Sequence, residues 1–430
     1  MERTRVRRSF EADRISKLPC NVIDNILKFL SLHDAVRTSI LSRGWRYKWV
    51  TIPFLVFDWD FRLKLDRKYN VESIIYQILF LHKGPIVKFT LFLADSGLCP
   101  GLNNWLHFLS DHRVEELTLK CVTHRSISHH LFTFDHLKHL YLVNVELRLP
   151  STFKGFGSLV RLHLSGVQFV PEDLDRFIAK CPMLEYMDLR IPVDHMLSDL
   201  VIDAPNLKSF HISGIRGSVY FKNASCLKEM SITSCLTAMD TTSEPGDNNS
   251  NMIKVLGQLS SITSLKSNRG FLLYLASGGV PQKLPFNLNH MRVLVLDVAG
   301  FEHTSEVRSA LCLIRSSPNL QRFEITMNHP LNTPGVDRLE ATIQFLKAQQ
   351  KYEIPLRCLE IVKMFIFSGV KPEMEFVKLL LLSAPVLRKL EINYMHPGVT
   401  EKGYKILKEL LSLPRASTRA EIIFQDRYDI

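Results

Sequence analysis

The sequence predicts an α/β fold in which a small three-helix module is followed by a solenoid, with a curved parallel sheet and helices on its convex side. Three observations lead to this prediction. An apolar stripe at helical spacing lies within residues 13–53, a short apolar phrase recurs from about residue 71 onward, and proline follows a small residue just before several recurrences. A block of helices and strands at residues 352–424 is expected to cap the solenoid.

The amino-terminal module begins with one amphipathic helix. Pro19 suits a helix start, because its missing N–H would have no partner there. The apolar residues that follow recur at helical spacing: Val22, Ile23, Ile26, Leu27 and Leu30. Ser31 and Asp34 resemble a capping arrangement for a shorter second helix that carries Ala35, Val36 and Ile40.

A third helical turn is predicted to carry Trp45 and Trp49, which are four residues apart and share one face. A module of about forty residues buries too little surface to be stable alone. We therefore expect the apolar stripe and both indoles to be left uncovered by the rest of the chain and to be covered by a partner.

The phrase apolar-x-x-apolar-x-apolar defines the repeat. It is found at Val114/Leu117/Leu119, Leu137/Leu140/Leu142, Leu159/Leu162/Leu164, Leu184/Met187/Leu189, Leu207/Phe210/Ile212 and Leu227/Met230/Ile232. The third positions are 23, 22, 25, 23 and 20 residues apart, which is leucine-rich-repeat spacing. Each unit holds one short strand and buries its apolar side only when a neighbour stacks on it. Larger steps separate the later recurrences, which predicts longer helices there: Met291/Leu294/Leu296, Leu320/Phe323/Ile325 and Leu387/Leu390/Ile392.

Proline marks the change from helix to strand in several repeats. It ends a helix and biases the preceding residue toward an extended backbone. The dipeptides are Cys181-Pro182, Ala204-Pro205, Ser317-Pro318 and Ala384-Pro385. Residues 237–251 are polar and rich in turn-forming residues, so an exposed loop is expected there.

The module at residues 13–53 resembles an F-box, the adaptor-binding motif of receptor subunits in Skp-cullin-F-box (SCF) ubiquitin ligases. Two departures are present: Cys20 stands where an acidic residue is common, and Gly44 replaces a basic residue, with a cost of roughly 1 kcal/mol in a helix interior. The resemblance implies binding of a Skp-type adaptor, and through it of cullin. The residues expected at that interface are Leu18, Pro19, Val22, Ile23, Ile26, Leu27, Leu30, Ala35, Val36, Leu41, Trp45 and Trp49.

The carboxyl-terminal block resembles the FBD domain of plant F-box proteins with leucine-rich repeats. Its matching positions include Leu359, Phe376, Leu380, Leu390 and Ile422. The whole chain thus resembles plant F-box/FBD/leucine-rich-repeat proteins. The implied domains are a basic tail at 1–12, the F-box at 13–53, the solenoid at 54–351, the FBD domain at 352–424 and a tail at 425–430.

Composition favours a large soluble protein in a reducing compartment. The 430 residues are 46% hydrophobic, and no apolar run reaches the roughly 20 residues that span a bilayer. The eight cysteines are scattered without a CxxC pair, which favours free thiols over disulfides or zinc fingers. The amino end lacks the apolar stretch of a secretory signal, so nucleus or cytoplasm is expected.

Catalytic and metal motifs are not recognised in the sequence, which lacks a phosphate-binding loop, HExxH, GxSxG and a GxGxxG in the right setting. Cys121 is followed by five histidines, but their spacing does not match a known metal site: His124, His129, His130, His136 and His139. We interpret them as surface or loop residues. No cofactor is implied, and a non-catalytic role is favoured.

The concave face of the solenoid is the predicted surface for a target protein. Residues that flank the inward pair of each strand point to that face. They are His139, Tyr141, Arg161, His163, Tyr186, Asp188, Arg190, Ser209, His211, Arg322 and Glu324. Their mixed charges and aromatic rings suit a polypeptide better than nucleic acid.

The net charge of +11 does not by itself favour nucleic acid, because residues 1–50 hold eleven Lys and Arg against five Asp and Glu, a net of +6. Four of those cations, Arg3, Arg5, Arg7 and Arg8, lie in the predicted tail, where a solubilising role is favoured over nuclear import or an acidic partner.

The predicted function is that of a substrate-recognition subunit of an SCF-type ligase. The alternatives are a small-molecule sensor with the same architecture and a regulator that acts without ubiquitination. Nucleic-acid binding is a third class, and steep salt dependence of DNA binding by the repeats would support it.

Overall fold

The computed structural model describes residues 15, 18–65, 70–94, 99–169, 171–192, 199–215, 219–234, 248–276, 279–298, 301, 303–328, 336–352, 354, 356–395 and 401–426. The chain divides into two compact units, Met1–Asp173 and Leu174–Ile430. No helix in the described ranges is long and apolar enough to cross a membrane.

The first unit opens with the predicted helices. Helix α1 is Cys20–Lys28, with Pro19 as its N-cap, and α2 is Leu32–Arg37. Ser31 caps α2 as predicted, since its Oγ accepts a hydrogen bond from the Asp34 N–H at 3.2 Å. A 3₁₀ helix at Thr38–Ile40 continues directly from α2.

The predicted third helical turn carries Trp49 but not Trp45. Residues 43–47 form turns, and a 3₁₀ helix follows at Lys48–Thr51. The cost assigned to Gly44 in a helix interior therefore does not apply. Gly44 is exposed, and a Cβ there would lie 3.7 Å from the nearest atom, Ser42 Oγ.

A parallel sheet forms the body of the first unit. Its strands follow chain order: β1 (Phe54–Phe57), β2 (Lys88–Leu93), β3 (Glu116–Ser126), β4 (His139–Leu147) and β5 (Arg161–Ser165), with the short β6 (Gln168–Phe169) beside β4. The connecting helices are α3 (Trp59–Lys64), α4 (Val71–Leu81) and α5 (Gly101–Ser110), and a 3₁₀ helix lies at His129–Thr133.

The second unit contains a longer parallel sheet, preceded by α6 (Pro171–Ala179), which spans the division between the units. Its strands in order are β7 (Tyr186–Arg190), β9 (Ser209–Ile215), β11 (Glu229–Ser234), β12 (Ser264–Asn268), β13 (Val293–Val298), β14 (Arg322–Met327), β15 (Ile361–Phe367), β16 (Lys389–Tyr394) and β17 (Glu421–Asp426). Strands β8 (Leu200–Asp203) and β10 (Val219–Asn223) form a separate parallel pair. The helices are α7 (Asn248–Gln258), α8 (Arg269–Ala276), α9 (Thr304–Arg315), α10 (Val336–Gln349), α11 (Lys371–Ser383) and α12 (Glu401–Ser412).

Strand register confirms the repeat. Leu117, Leu140 and Leu162 occupy equivalent positions on β3, β4 and β5, and each is at most 1% exposed. Met187 and Phe210 pair in the same way on β7 and β9 and are fully buried. The alternate residues of each strand therefore form the apolar core, as expected for stacked repeats.

Two repeats lie before the first recurrence identified in the sequence, at Val114/Leu117/Leu119. Ile52, Leu55 and Phe57 form the same phrase around β1, as do Ile86, Phe89 and Leu91 around β2, and all six are buried. Strand β12 was also not predicted, because the buried Ser267 occupies its third apolar position.

Helices connect the later strands, as expected from the larger steps between repeats, with α9, α10 and α11 at 12, 14 and 13 residues. The connections after β7 and β9 contain the short strands β8 and β10, whose buried residues alternate in the extended pattern.

Of the predicted polar loop at 237–251, residues 248–251 are instead the start of α7, and residues 237–247 lie outside the described ranges. The carboxyl-terminal block has the predicted order of strand, helix, strand, helix and strand. It forms the last three strands of the sheet, so its boundary as a separate domain stays a prediction.

Candidate functional site

The amino-terminal module at residues 13–53 buries part of its apolar stripe and both indoles. Ile23, Leu27, Ala35, Trp45 and Trp49 are each at most 6% exposed. The Trp45 Nε1–H donates a hydrogen bond to the Ile15 carbonyl oxygen at 3.1 Å. The expectation that both indoles are left uncovered is therefore wrong. The physical reason is that large aromatic side chains gain the most from burial within the chain.

A second apolar row along α1 and the residues just after it remains accessible. Val22, Ile26 and Leu30, spaced four residues apart, are 36%, 38% and 37% exposed. Leu41 is 51% exposed, Pro19 is exposed, and Leu18 and Val36 are half-buried. The residues predicted at the adaptor interface are thus divided between the core of the module and its surface.

Three further exposed residues of the module were not among those predicted at the interface. Phe29, Ile40 and Tyr47 are 91%, 83% and 65% exposed. Their sequence signal is a large apolar side chain off the main helical stripe. We call the exposed set of Val22, Ile26, Phe29, Leu30, Ile40, Leu41 and Tyr47 the F-box apolar surface. So many exposed apolar side chains within one small module indicate a binding surface.

An anionic site marks the start of α2. The Asp34 carboxylate accepts hydrogen bonds from Ser31 Oγ at 2.6 Å and Lys64 Nζ at 3.0 Å, and His33 Nδ1 lies 3.4 Å away. These interactions, the serine first, hold the pKa of Asp34 well below its usual range. At the start of α1, Lys48 Nζ lies 3.1 Å from Cys20 Sγ, and this contact raises the pKa of Lys48.

The sheets present a polar face opposite their buried core residues, which we call the open face. In the first unit it carries a row of paired charges. Glu116 contacts Lys88 at 3.1 Å and lies 3.4 Å from His139 Nδ1, and Arg161 occupies the next position of the row. These residues share one face because they are register partners on adjacent strands.

An aromatic stack lies beside that row on the open face. The rings of Tyr141 and His163 are parallel, with an angle of 9° and centroids 3.9 Å apart. Lys120 Nζ lies 4.8 Å from the centroid of the Tyr141 ring, within the range of a cation–π interaction. His139, Tyr141, Arg161 and His163, which were predicted for this part of the face, are therefore neighbours on it.

The open face of the second unit contains the other predicted residues. Tyr186 and His211 have ring centroids 5.4 Å apart, and His211 Nε2 is 3.1 Å from Ser209 Oγ. The prediction that Asp188 is a contact residue is wrong, because Asp188 is only 6% exposed and Arg190 Nη2 contacts its carboxylate at 3.2 Å. The buried, ion-paired carboxylate of Asp188 is not available as a contact residue.

Arg322 and Glu324 lie on the same face and bond to each other. Next to them is an ion-pair cluster that was not predicted: Lys363 and Lys389 contact the two Glu391 oxygens at 2.7 and 2.5 Å. These lysines lower the pKa of Glu391, Lys363 most. The sequence signal was the alternation of charged and apolar residues in β15 and β16.

The histidines after Cys121 lie apart from any metal-ligand geometry. His129 and His130 have ring centroids 4.4 Å apart, and His124 Nε2 is 3.0 Å from the Gly166 carbonyl oxygen. No group of three or more His, Cys, Asp or Glu that could hold a metal ion is found within the described ranges. Burial raises the pKa of the Cys121 thiol to about 11.

Comparison with known proteins assigns the chain to a family. A model of the F-box domain matches residues 15–57, and a model of the leucine-rich repeats of FBD-associated F-box protein At5g56370 matches residues 102–325.

Similar relatives come from Arabidopsis thaliana. F-box/FBD/LRR-repeat protein At1g13570 is 33% identical over 423 residues, which cover 96% of this chain and 98% of that protein. F-box/FBD/LRR-repeat protein At1g78750 is 26% identical, with 98% of each chain covered. F-box/FBD/LRR-repeat protein At4g26340 is 26% identical, with 96% of this chain and 100% of that protein covered. This chain therefore belongs to the F-box/FBD/LRR-repeat family.

Proposed function

We propose that this chain is the substrate-recognition subunit of an SCF-type ubiquitin ligase. In this role the F-box binds a Skp-type adaptor, which connects it to cullin, and the open face of the repeats binds a target protein. The observation that supports this proposal is the exposed row of Val22, Ile26 and Leu30, beside the buried Ile23 and Leu27 of the same apolar stripe.

Covering this surface is favourable. Each large apolar side chain that moves fully from water into an interface contributes about 1.5–3 kcal/mol, and the exposed fractions on α1 correspond to a part of that range. Phe29 and Ile40, which are almost fully exposed, have the most to gain from a partner. The F-box apolar surface therefore fits a protein partner with an apolar groove.

The chain itself needs no catalytic group in this role. A target lysine held beside a thioester-charged conjugating enzyme gains in effective concentration, and proximity of this kind accelerates a reaction without an acid, base or nucleophile from the scaffold. Ubiquitin transfer to the target is the finer part of the proposal.

The test is Ile26→Asp, which places a charge in the centre of the apolar row. Because Ile26 is 38% exposed, the variant is expected to fold, and adaptor pull-down is expected to be lost. The matched control is Leu382→Asp on α11, where a leucine with 39% exposure lies outside the F-box. Leu382→Asp should keep full adaptor binding. Equal pull-down of wild type and Ile26→Asp would contradict the proposed function.

A further inference from the structure

A cavity of about 440 Å³ lies in the first unit, at the start of the open face. Its floor includes Phe54 and Val56, which lie on the solvent side of β1 while Leu55 and Phe57 face the core. Phe54 is the register partner of Lys88, and Lys88 is the partner of Glu116, so the floor continues along β2 and β3. A chain that leaves the cavity can therefore follow the open face.

The walls of the cavity are apolar near the floor. Leu30, Leu32 and Ile52 line it from the F-box, and Phe61 lines it from α3. Phe54 is 38% exposed, which leaves apolar surface that an occupant would cover. The volume is within the usual range of ligand pockets and is large enough for one or two bulky side chains.

Most charges in the lining are already neutralised. Lys64 contacts Asp34 at 3.0 Å, and Lys88 contacts Glu116 at 3.1 Å. The Asp58 carboxylate accepts a hydrogen bond from the Phe61 N–H at 2.9 Å, as the N-cap of α3. These groups already have partners within the chain, so they stabilise the lining of the cavity and are not free to bind a ligand.

Two charges remain available. In the described part of the chain, neither the Lys28 ammonium nor the Asp60 carboxylate has an ion-pair or hydrogen-bond partner, and both residues are exposed. Lys28 comes from the end of α1 and Asp60 from α3, so the cavity offers one cation and one anion from two different elements. An occupant with both signs of charge and an apolar centre complements this lining.

We propose that this cavity binds an extended segment of the target protein, in which a large apolar side chain enters the cavity, an acidic residue contacts Lys28 and a basic residue contacts Asp60. The inference rests on the proposed function, since it assigns the target's anchor point on the open face. Continuity of the floor with β2 and β3 and the two unlike charges favour a polypeptide segment over a ligand of single charge.

The test is selection of a random-peptide display library against the full chain, alone and bound to the adaptor. Selected peptides are expected to contain an aromatic or branched aliphatic residue flanked by an acidic and a basic residue. Val56→Arg fills the cavity and should weaken binding of the selected peptides by about tenfold or more. The matched control is Val295→Arg, which replaces a half-buried valine of β13 on the open face of the second unit. This variant should bind the peptides as tightly as wild type does.

A second variant guards against misfolding of the first. Lys28→Glu is at an exposed position and should reduce binding of peptides with the acidic residue. Absence of the expected peptides, binding unchanged by Val56→Arg, or a preference unchanged by Lys28→Glu would each overturn the proposal. The chain is tested alone as well as with the adaptor, so the two proposals can fail separately. If the wild-type chain binds the peptides but not the adaptor, only the proposed function is contradicted. If it binds the adaptor but not the peptides, only the cavity proposal is contradicted.

Discussion

Ile23 and Ile26 lie three residues apart on α1 and have opposite environments, with exposed fractions of 4% and 38%. Both belong to the apolar stripe that the sequence shows, but the stripe is wide enough to serve two surfaces. Its inner edge, with Leu27, fills the F-box core. Its outer edge, with Val22 and Leu30, forms part of the F-box apolar surface. A substitution in α1 can thus affect either stability or binding.

Trp45 belongs to the core group, and its loss should act through stability. Trp45→Ala removes a side chain that is 2% exposed and the hydrogen bond to Ile15. We expect a loss of about 3–5 kcal/mol, which is large for so small a module. Hydrogen exchange of the α1 amides should become faster, and adaptor binding should fall with it.

The comparison with Ile26→Asp separates loss of binding through lower stability from loss of binding at the interface itself. Ile26→Asp should abolish binding while α1 exchange stays as in wild type. Slow α1 exchange in Trp45→Ala would show that the indole is not needed for the fold of the module.

At the scale of elements, ion pairs between side chains on the open face stabilise the pairing of strands β15 and β16. Glu391 receives one lysine on each carboxylate oxygen, and its side chain is 18% exposed. Its pKa in the folded state is lowered by Lys363 and Lys389. A lowered pKa means that the ionised form stabilises the fold above the unfolded-state pKa of about 4.3, and that this stabilisation is lost as the pH falls through the folded-state value.

Glu391→Gln should therefore lower the free energy of unfolding at pH 7 by about 1 kcal/mol or less. The difference from wild type should shrink as the pH falls below about 4. Urea unfolding at several pH values measures this difference. Glu409→Gln on α12, an exposed glutamate that forms no ion pair within the described ranges, should show a small difference at every pH. A Glu391→Gln difference that grows toward low pH would refute the argument.

The end of β9 depends on a glycine. Gly214 has a φ of +83°, and a Cβ there would lie 2.0 Å from the Ile191 carbonyl oxygen. Gly214→Ala should therefore destabilise the second unit by about 2 kcal/mol or more, through backbone strain and the close approach. Thermal unfolding measures the loss. Gly157→Ala, where the Cβ meets no atom within 4 Å, should stay within about 0.5 kcal/mol of wild type.

At the scale of the whole molecule, the sequence predicted most of the strands because most repeats bury apolar side chains at the same alternate positions. Some of the strands that were missed have local causes. Strand β12 was missed because Ser267 replaces an apolar residue at a buried position, and β8 and β10 were missed because they lie outside the repeated phrase. The F-box was recognised from its motif, and its match at residues 15–57 is close to the predicted 13–53.

The sequence by itself determined the family, the strands that carry the repeated phrase, and the alternation that places Tyr141, His163 and Arg322 on the open face. These properties follow from local periodicity, which side-chain direction converts into a face. Only the tertiary structure decided that Trp45 and Trp49 are core residues, that Asp188 is buried by its strand neighbours, and that Lys28 and Asp60 border one cavity. Those outcomes depend on which residues distant in the chain become neighbours, and no local pattern contains that information.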